Sequence, residues 1–144
     1  MTDIKLIDTN ILVYAYDSSE KIKHKIAKNI LKKCWNKEEI YALSVQNLSE
    51  SFVIATKKIQ NPVPIEEIEE DINDMISFSN FKILPISTND ISNAIKLVSQ
   101  FKIDYWDSLI VSVMRENNIN EIITENEKDF KKIPWIKIIN PFLK

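Results

Sequence analysis

Glycine is absent from this chain of 144 residues, which also contains one histidine and one cysteine. Without glycine the chain cannot form a glycine-rich phosphate-binding loop, a dinucleotide-binding fingerprint or a nucleophile elbow. The lone cysteine, Cys34, excludes an internal disulfide and agrees with a reducing compartment. One histidine and one cysteine cannot complete a zinc site, and about 15 Å of helix between His24 and Cys34 excludes a nucleophile and base pair. Catalysis by carboxylates remains, and carboxylates favour Mg²⁺ or Mn²⁺.

Long hydrophobic runs are also missing, since none approaches the roughly 20 residues that a membrane-spanning helix needs. The N-terminus lacks the basic and apolar regions of a signal peptide, so we expect a cytoplasmic protein without membrane attachment. A hydrophobic fraction of 44% in a chain of this length predicts a single domain over residues 1–144. The net charge of -2 conceals a lysine-rich stretch, 21–37, and an acidic stretch, 66–74. Both indicate solvated helix faces, and the alternative for the lysines is a surface that attracts phosphate.

Asp8 lies between two apolar segments of different character. The run 4–7 is short and rich in β-branched residues, which predicts a strand buried on both faces. From Asn10 the apolar spacing predicts a helix that Thr9 or Asn10 would cap. Ligands of open α/β sheets bind just outside the carboxyl ends of strands, near helix N-termini. Asp8 is therefore either a candidate ligand-binding residue or only a turn and capping residue.

Strand and helix patterns alternate along the rest of the chain. Short apolar runs predict further strands at 40–43, 81–85, 121–124 and 134–139. Apolar residues at helical spacing predict helices at 22–35, 45–59, 65–76, 91–101 and 104–115. This alternation predicts an α/β fold with a mostly parallel central sheet sandwiched between helices.

Two acidic residues lie on predicted helices where a carboxylate is unexpected. Glu50 occupies its own face of a helix with apolar residues on two sides, where an unpartnered buried carboxylate would cost several kcal/mol. The alternative is a half-exposed glutamate. Asp107 opens a helix that includes Trp106 among its apolar residues and that the pattern predicts to be the most buried. The alternative for Asp107 is a capping box in which Asp104 is the cap and Asp107 returns to the cap amide.

A last polar cluster, 124–130, follows the predicted strand at 121–124. It contains Asn126 and Asp129 at the position where an α/β sheet presents ligands. The alternative is an N-cap cluster for a short helix.

Four motifs together resemble the PIN-domain family, especially its VapC-type toxin ribonucleases. They are Asp8-Thr9-Asn10-Ile11-Leu12, Gln46 with Glu50, Tyr105-Trp106-Asp107-Ser108-Leu109-Ile110, and Thr124-Glu125-Asn126 with Asp129-Phe130. The resemblance covers nearly the whole chain, in the family's order and at its usual length. It implies a PIN-like fold and metal-dependent endonucleolytic cleavage of RNA that leaves a 5′-phosphate and a 3′-hydroxyl.

The resemblance also implies a set of site residues. Asp8, Glu50 and Asp107 fall on the family's acidic positions and are expected to bind Mg²⁺ or Mn²⁺ directly or through water. At the fourth position, where family members commonly have an acidic residue, this chain has Asn126, and Asp129 is a candidate for the missing charge. The residues expected to orient these ligands are Thr9, Asn10 and Thr124.

The partners implied by the resemblance are an RNA substrate, a cognate antitoxin and a second copy of the chain in a homodimer. Two other functions stay open. The first is a non-catalytic PIN-like protein that binds RNA or serves as a scaffold, in which Asn126 marks a weakened site. The second is an aspartate-based phosphoryl-transfer domain. A haloacid-dehalogenase phosphatase would have a second aspartate two residues after Asp8, where this chain has Asn10.

Overall fold

The computed structural model describes residues 3–143, so Met1, Thr2 and Lys144 of the predicted domain lie outside the described residues. Its strands are β1 (Lys5–Ile7), β2 (Tyr41–Ser44), β3 (Phe81–Leu84), β4 (Glu121–Ile123) and β5 (Lys137–Ile139). They form one sheet in the order β3-β2-β1-β4-β5, and every pairing is parallel. The α/β prediction with a parallel central sheet is confirmed, and β1 lies at the centre of that sheet.

Helices connect the strands and cover both faces. They are α1 (Thr9–Tyr14), α2 (Lys21–Trp35), α3 (Val45–Lys57), α4 (Ile65–Ser77), α5 (Thr88–Phe101), α6 (Tyr105–Glu116) and α7 (Glu127–Phe130). In the part of the chain from 3 to 143, no helix is long and apolar enough to cross a membrane.

Successive residues of β1 feed two separate cores. Leu6 packs with Ile110 and Phe130 on the face covered by α5, α6 and α7. Ile7 packs with Ile11 and Leu31 on the face covered by α1 to α4. Both side chains are fully buried, as strand alternation between two helix layers requires. The prediction of a strand buried on both faces is confirmed.

Several residues that the apolar pattern predicts to face the core are exposed, among them Ile91 and Ile95 on α5, which are 43% and 59% exposed. On α4, Ile65 and Ile76 are 56% and 54% exposed, because this helix packs mainly against α3 and the edge strand β3 and buries a narrow stripe through Ile68 and Met75. Trp106 is 56% exposed in the first turn of α6. The predictions that these residues face the core are therefore wrong.

The helix caps show how the chain manages without glycine. Ser44 caps α3 in a capping box with Asn47. The cap of α5 is Ser87, whose hydroxyl accepts from the Asp90 amide. Asn118, just past the end of α6, adopts the left-handed conformation (φ 56°) that glycine usually supplies.

Candidate active site

Asp8 is held at the junction of β1 and α1 by bonds to both of its oxygens. Its Oδ1 accepts from the Thr9 amide at 2.8 Å, so Asp8 itself caps α1 and the predicted caps, Thr9 and Asn10, do not. Its Oδ2 accepts from Thr124 Oγ1 at 2.8 Å and from Asn10 Nδ2 at 3.3 Å. Thr124 follows β4, the neighbour of β1, so sheet pairing fixes this carboxylate from two strands.

The position of Asp8 is electrostatically costly. The residue is 6% exposed. Burial raises the pKa of its carboxyl, the hydrogen bonds from Thr124 and Thr9 lower it, and the charge of Glu50 raises it again. The net effect is a raised pKa, which a cation in the vicinity would reverse.

Glu50 is tied to this site through Thr9. Its Oε1 accepts from Thr9 Oγ1 at 2.7 Å, and Thr9 Oγ1 accepts in turn from Asn47 Nδ2 at 3.0 Å. Asn47 Nδ2 also lies 3.5 Å from Asp8 Oδ1. Asn47 was not among the predicted site residues. The sequence feature that could have identified it is its position three residues after Ser44, which is typical of a capping-box side chain at the start of a helix.

Asp107 meets the residues that follow β4. Asn126 Nδ2 donates to Asp107 Oδ2 at 3.2 Å. Burial raises the pKa of Asp107 to about 7, and so do its hydrogen bond with the Asp129 carboxyl and the charges of Asp8, Asp129 and Asp104. Asp107 is therefore largely protonated below neutral pH unless a cation binds nearby.

Asp104 is the cap of α6, as expected, and accepts from the amides of Trp106 and Asp107 at 3.0 and 3.4 Å. The predicted return bond differs. The Asp104 amide donates to Asp129 Oδ2 at 3.2 Å instead of to Asp107. The Asp107 carboxyl is therefore not used in the cap and lines the groove, while Asp129 accepts from the cap amide.

One open groove of about 710 Å³ brings most of the predicted residues together. Its lining includes Asp8, Glu50, Asp107 and Asn126, at the carboxyl ends of β1 and β4 and along α3. Asp129 is outside that lining, and its carboxyl contacts the carboxyl of Asp107.

The donor set of the groove consists of carboxylate, amide and hydroxyl oxygens. Within residues 3–143, no three histidine, cysteine, aspartate or glutamate side chains are close enough to hold a metal ion together. Mg²⁺ keeps several waters and is commonly held by one or two carboxylates, so the oxygen donors fit this ion or Mn²⁺. The charges of neighbouring carboxylates point the same way, since Asp8 raises the pKa of Asp107 and Glu50 raises that of Asp8.

A second cluster fixes the loop after β4 from outside the groove. Glu125 accepts from Tyr14 Oη at 2.5 Å and from Lys23 Nζ. Burial raises the pKa of Glu125, but the bonds from Lys23 and Tyr14 outweigh it and lower the pKa overall. Lys23 lies in the lysine-rich stretch that was predicted to be a solvated helix face, and in the structure it is paired with Glu125. No short-range pattern links residues this far apart.

The chain that forms this groove matches a known protein family. The PIN domain family model matches residues 5–136. The chain belongs to the PIN domain family. This PIN domain matched no curated protein.

Solved structures with the same fold include several toxins. A chain of a toxin-antitoxin complex from Klebsiella pneumoniae is 24% identical, with 96% of this PIN domain and 98% of that chain covered and a TM-score of 0.64. VapC20 of Mycobacterium tuberculosis, a toxin that cleaves the Sarcin-Ricin loop, is 12% identical, with coverages of 93% and 97% and a TM-score of 0.69. VapBC2 of Rickettsia felis, bound to a DNA fragment from its promoter, is 24% identical, with coverages of 95% and 98% and a TM-score of 0.64. The resemblance to VapC-type PIN domains is confirmed, and at these identities it establishes the fold.

Proposed function

We propose that this PIN domain is a Mg²⁺- or Mn²⁺-dependent endoribonuclease and the toxin of a toxin-antitoxin pair. The observation that carries the proposal is the convergence of Asp8, Glu50, Asp107 and Asn126 on one groove at the carboxyl edge of the sheet. Family membership supports the proposal. So does the likeness to VapC toxins, of which VapC20 is described as cleaving the Sarcin-Ricin loop.

In this proposal Asp8, Glu50 and Asp107 would hold the metal ion, directly or through water, and the Asn126 carbonyl would add a neutral oxygen. An ion held there would supply a coordinated water of lowered pKa and positive charge to offset that of the phosphate. Asp129 raises the pKa of Asp107 and anchors α6, so its role is to position Asp107 rather than to bind the ion.

The protein's own hydrogen bonds supply the order that such a site needs. Thr124 and Asn10 fix one oxygen of Asp8, and Thr9 fixes Glu50. Side chains held in one rotamer keep the ligands in place before the ion and the RNA bind. Asn126 does the same for Asp107 through its amide nitrogen.

The proposal includes partner proteins. Several solved neighbours are toxin-antitoxin complexes, which supports a cognate antitoxin for this chain. A homodimer and a cytoplasmic location are proposed from the resemblance to the family alone. A segment of the antitoxin that carries basic side chains would complement the carboxylates of the groove.

The test is RNA cleavage by purified wild type and Asp8→Asn, with Mg²⁺ or Mn²⁺ and with EDTA. We expect cleavage by wild type with metal only, and a loss of at least 100-fold in Asp8→Asn, because asparagine preserves the cap of α1 but removes the charge. Asp74→Asn on the exposed acidic helix α4 is the matched control and should cleave like wild type. Full cleavage by Asp8→Asn would refute the assignment.

The non-catalytic alternative rests on Asn126, an amide at a position that is commonly acidic in the family. RNA binding without cleavage in either metal would support that alternative. A phosphoryl group trapped on Asp8 would instead support the aspartate-based phosphoryl-transfer domain.

A further inference from the structure

Trp106 is a large aromatic side chain exposed beside the carboxylates. It lines the groove, is 56% exposed and precedes Asp107 in the chain. The ring of Tyr105 packs against it edge to face, with centroids 5.0 Å apart and an angle of 73° between the planes. The indole is thus supported on one side and open on another.

The groove offers little positive charge for the phosphates of a nucleic acid. Its acidic lining residues are Asp8, Asp17, Glu20, Glu50, Asp104 and Asp107. Among the lining residues, all in the described part of the chain, Lys58 is the one lysine and there is no arginine. Six acidic residues against one lysine make the lining net negative, so contacts to phosphates alone are a weak source of affinity. Affinity for RNA must therefore come in part from uncharged contacts, and base stacking on aromatic side chains is the strongest of these.

Gln46 connects the carboxylate helix α3 to Trp106. Gln46 lies one helical turn before Glu50 on α3. Its Nε2 donates to the backbone carbonyl of Trp106 at 3.3 Å. Its Oε1 is buried and has no hydrogen-bond partner within residues 3–143. Gln46 is 9% exposed and is part of the groove lining. An unpaired buried carbonyl is unfavourable, and a ligand that donates an N–H or O–H group would satisfy it.

We propose that Trp106 and Gln46 form a subsite for one unpaired nucleobase of the RNA, next to the carboxylates. This inference rests on the proposed ribonuclease function. The indole of Trp106 stacks on the base, and Gln46 holds the Trp106 backbone in place and accepts from a donor on the base edge. The subsite selects single-stranded RNA, because a base within a duplex cannot be stacked on a protein ring.

The test is the binding of a fluorescently labelled single-stranded RNA in EDTA, where cleavage cannot occur. We expect Trp106→Ala to weaken binding by roughly 5- to 100-fold, the range for loss of one aromatic stack. Trp106→Phe should retain most of the affinity, and Gln46→Ala should weaken it by a few-fold. Ile22→Ala, a truncation of an apolar side chain that is 77% exposed on α2, is the control and should bind like wild type. The same RNA annealed to its complement should bind wild type and Trp106→Ala equally.

Several results would overturn the subsite. They are equal affinity of wild type and Trp106→Ala for single strands, equal loss on the duplex, and no measurable binding by wild type. A shift of Trp106→Ala from dimer to monomer in sedimentation, with unchanged RNA affinity per chain, would assign Trp106 to contact between copies instead.

A parallel cleavage assay with Mg²⁺ separates this inference from the proposed function. Trp106-dependent binding without any cleavage would contradict the nuclease and leave the subsite. Cleavage by Trp106→Ala with wild-type kcat/KM would contradict the subsite and leave the nuclease.

Discussion

Asp107 carries a carboxyl whose pKa is strongly raised by its place in the groove. Its pKa of about 7 reflects burial, the Asp129 carboxyl and the negative charges around it. In the unfolded chain an aspartate has a pKa of about 4. The folded state therefore binds more protons than the unfolded state between these two values, and the free energy of unfolding decreases as pH rises from about 4 to about 7.

The resulting prediction is a stability difference that depends on pH. Without metal, wild type should lose more melting temperature than Asp107→Asn between pH 4.5 and pH 7.5, by a few degrees. Asp8, whose pKa is also raised, is present in both proteins and largely cancels in the comparison. Thermal melts in EDTA across this range provide the measurement. Parallel profiles for the two proteins would show that Asp107 titrates normally.

The sequence revealed the acidic residues of the site but not all of their supports. Asp8, Glu50 and Asp107 stand out because each is a charged residue in an apolar context, and the structure gathers them around one groove. Asn47 was missed because its amide serves a local cap and a distant hydroxyl at once. Asp129 was placed among the ligands by chain proximity to Asn126, whereas the structure turns it toward the α6 cap.

At the scale of elements, α2 and the loop after β4 are joined by Lys23, Tyr14 and Glu125. The Lys23 ammonium also lies 5.0 Å from the Tyr14 ring centroid and 5.5 Å from that of Phe142. The same loop carries Asn126 to Asp107. The position of Asn126 therefore depends on a contact outside the groove.

We expect Glu125→Gln to lower kcat several-fold with little change in melting temperature, because partly exposed ion pairs contribute little to stability. The charge-swapped pair Lys23→Glu with Glu125→Lys should recover part of kcat. Lys25→Gln, at an exposed position two residues further along α2, is the control for loss of charge. Steady-state cleavage kinetics and melts of each variant form the measurement. Equal losses in the single and double variants would contradict a positioning role for the pair.

The type of each element was predictable from the sequence, whereas the burial of its individual side chains was not. Apolar spacing in α4 groups Ile65, Ile68, Ile76 and their neighbours on one side of a helix. It does not say how wide the covering surface is. At the edge strand β3 that surface is narrow, so only Ile68 and Met75 are buried on this helix. The apolar pattern likewise does not show that Trp106, in the first turn of α6, lines an open groove.

At the scale of the whole molecule, a metal ion in the groove should stabilise the fold as a unit. A ligand that binds only the native state at 100 times its dissociation constant adds about 2.7 kcal/mol to the free energy of unfolding. For a chain of this size, that corresponds to a rise of roughly 5–10 °C in Tm. We expect this rise in wild type on titration with Mg²⁺ or Mn²⁺ and its loss in Asp8→Asn. Identical shifts in both proteins would place the ion elsewhere.

The parallel sheet followed from the alternation of strands and helices, but the strand order did not. Any order with right-handed crossovers satisfies the same alternation. The order is settled by which helices pack together, and long-range packing leaves no local signature. β1 becomes central because β2 and β4 pair on its two sides.

The bond between Thr124 and Asp8 joins residues that are 116 positions apart. A ribosome making this protein must therefore translate past Thr124 before the two sides of the groove exist together. Until then the emerging chain has β1, β2 and their helices but neither Thr124 nor Asn126. The proposed nuclease is thus inert until these two residues have joined the folded chain.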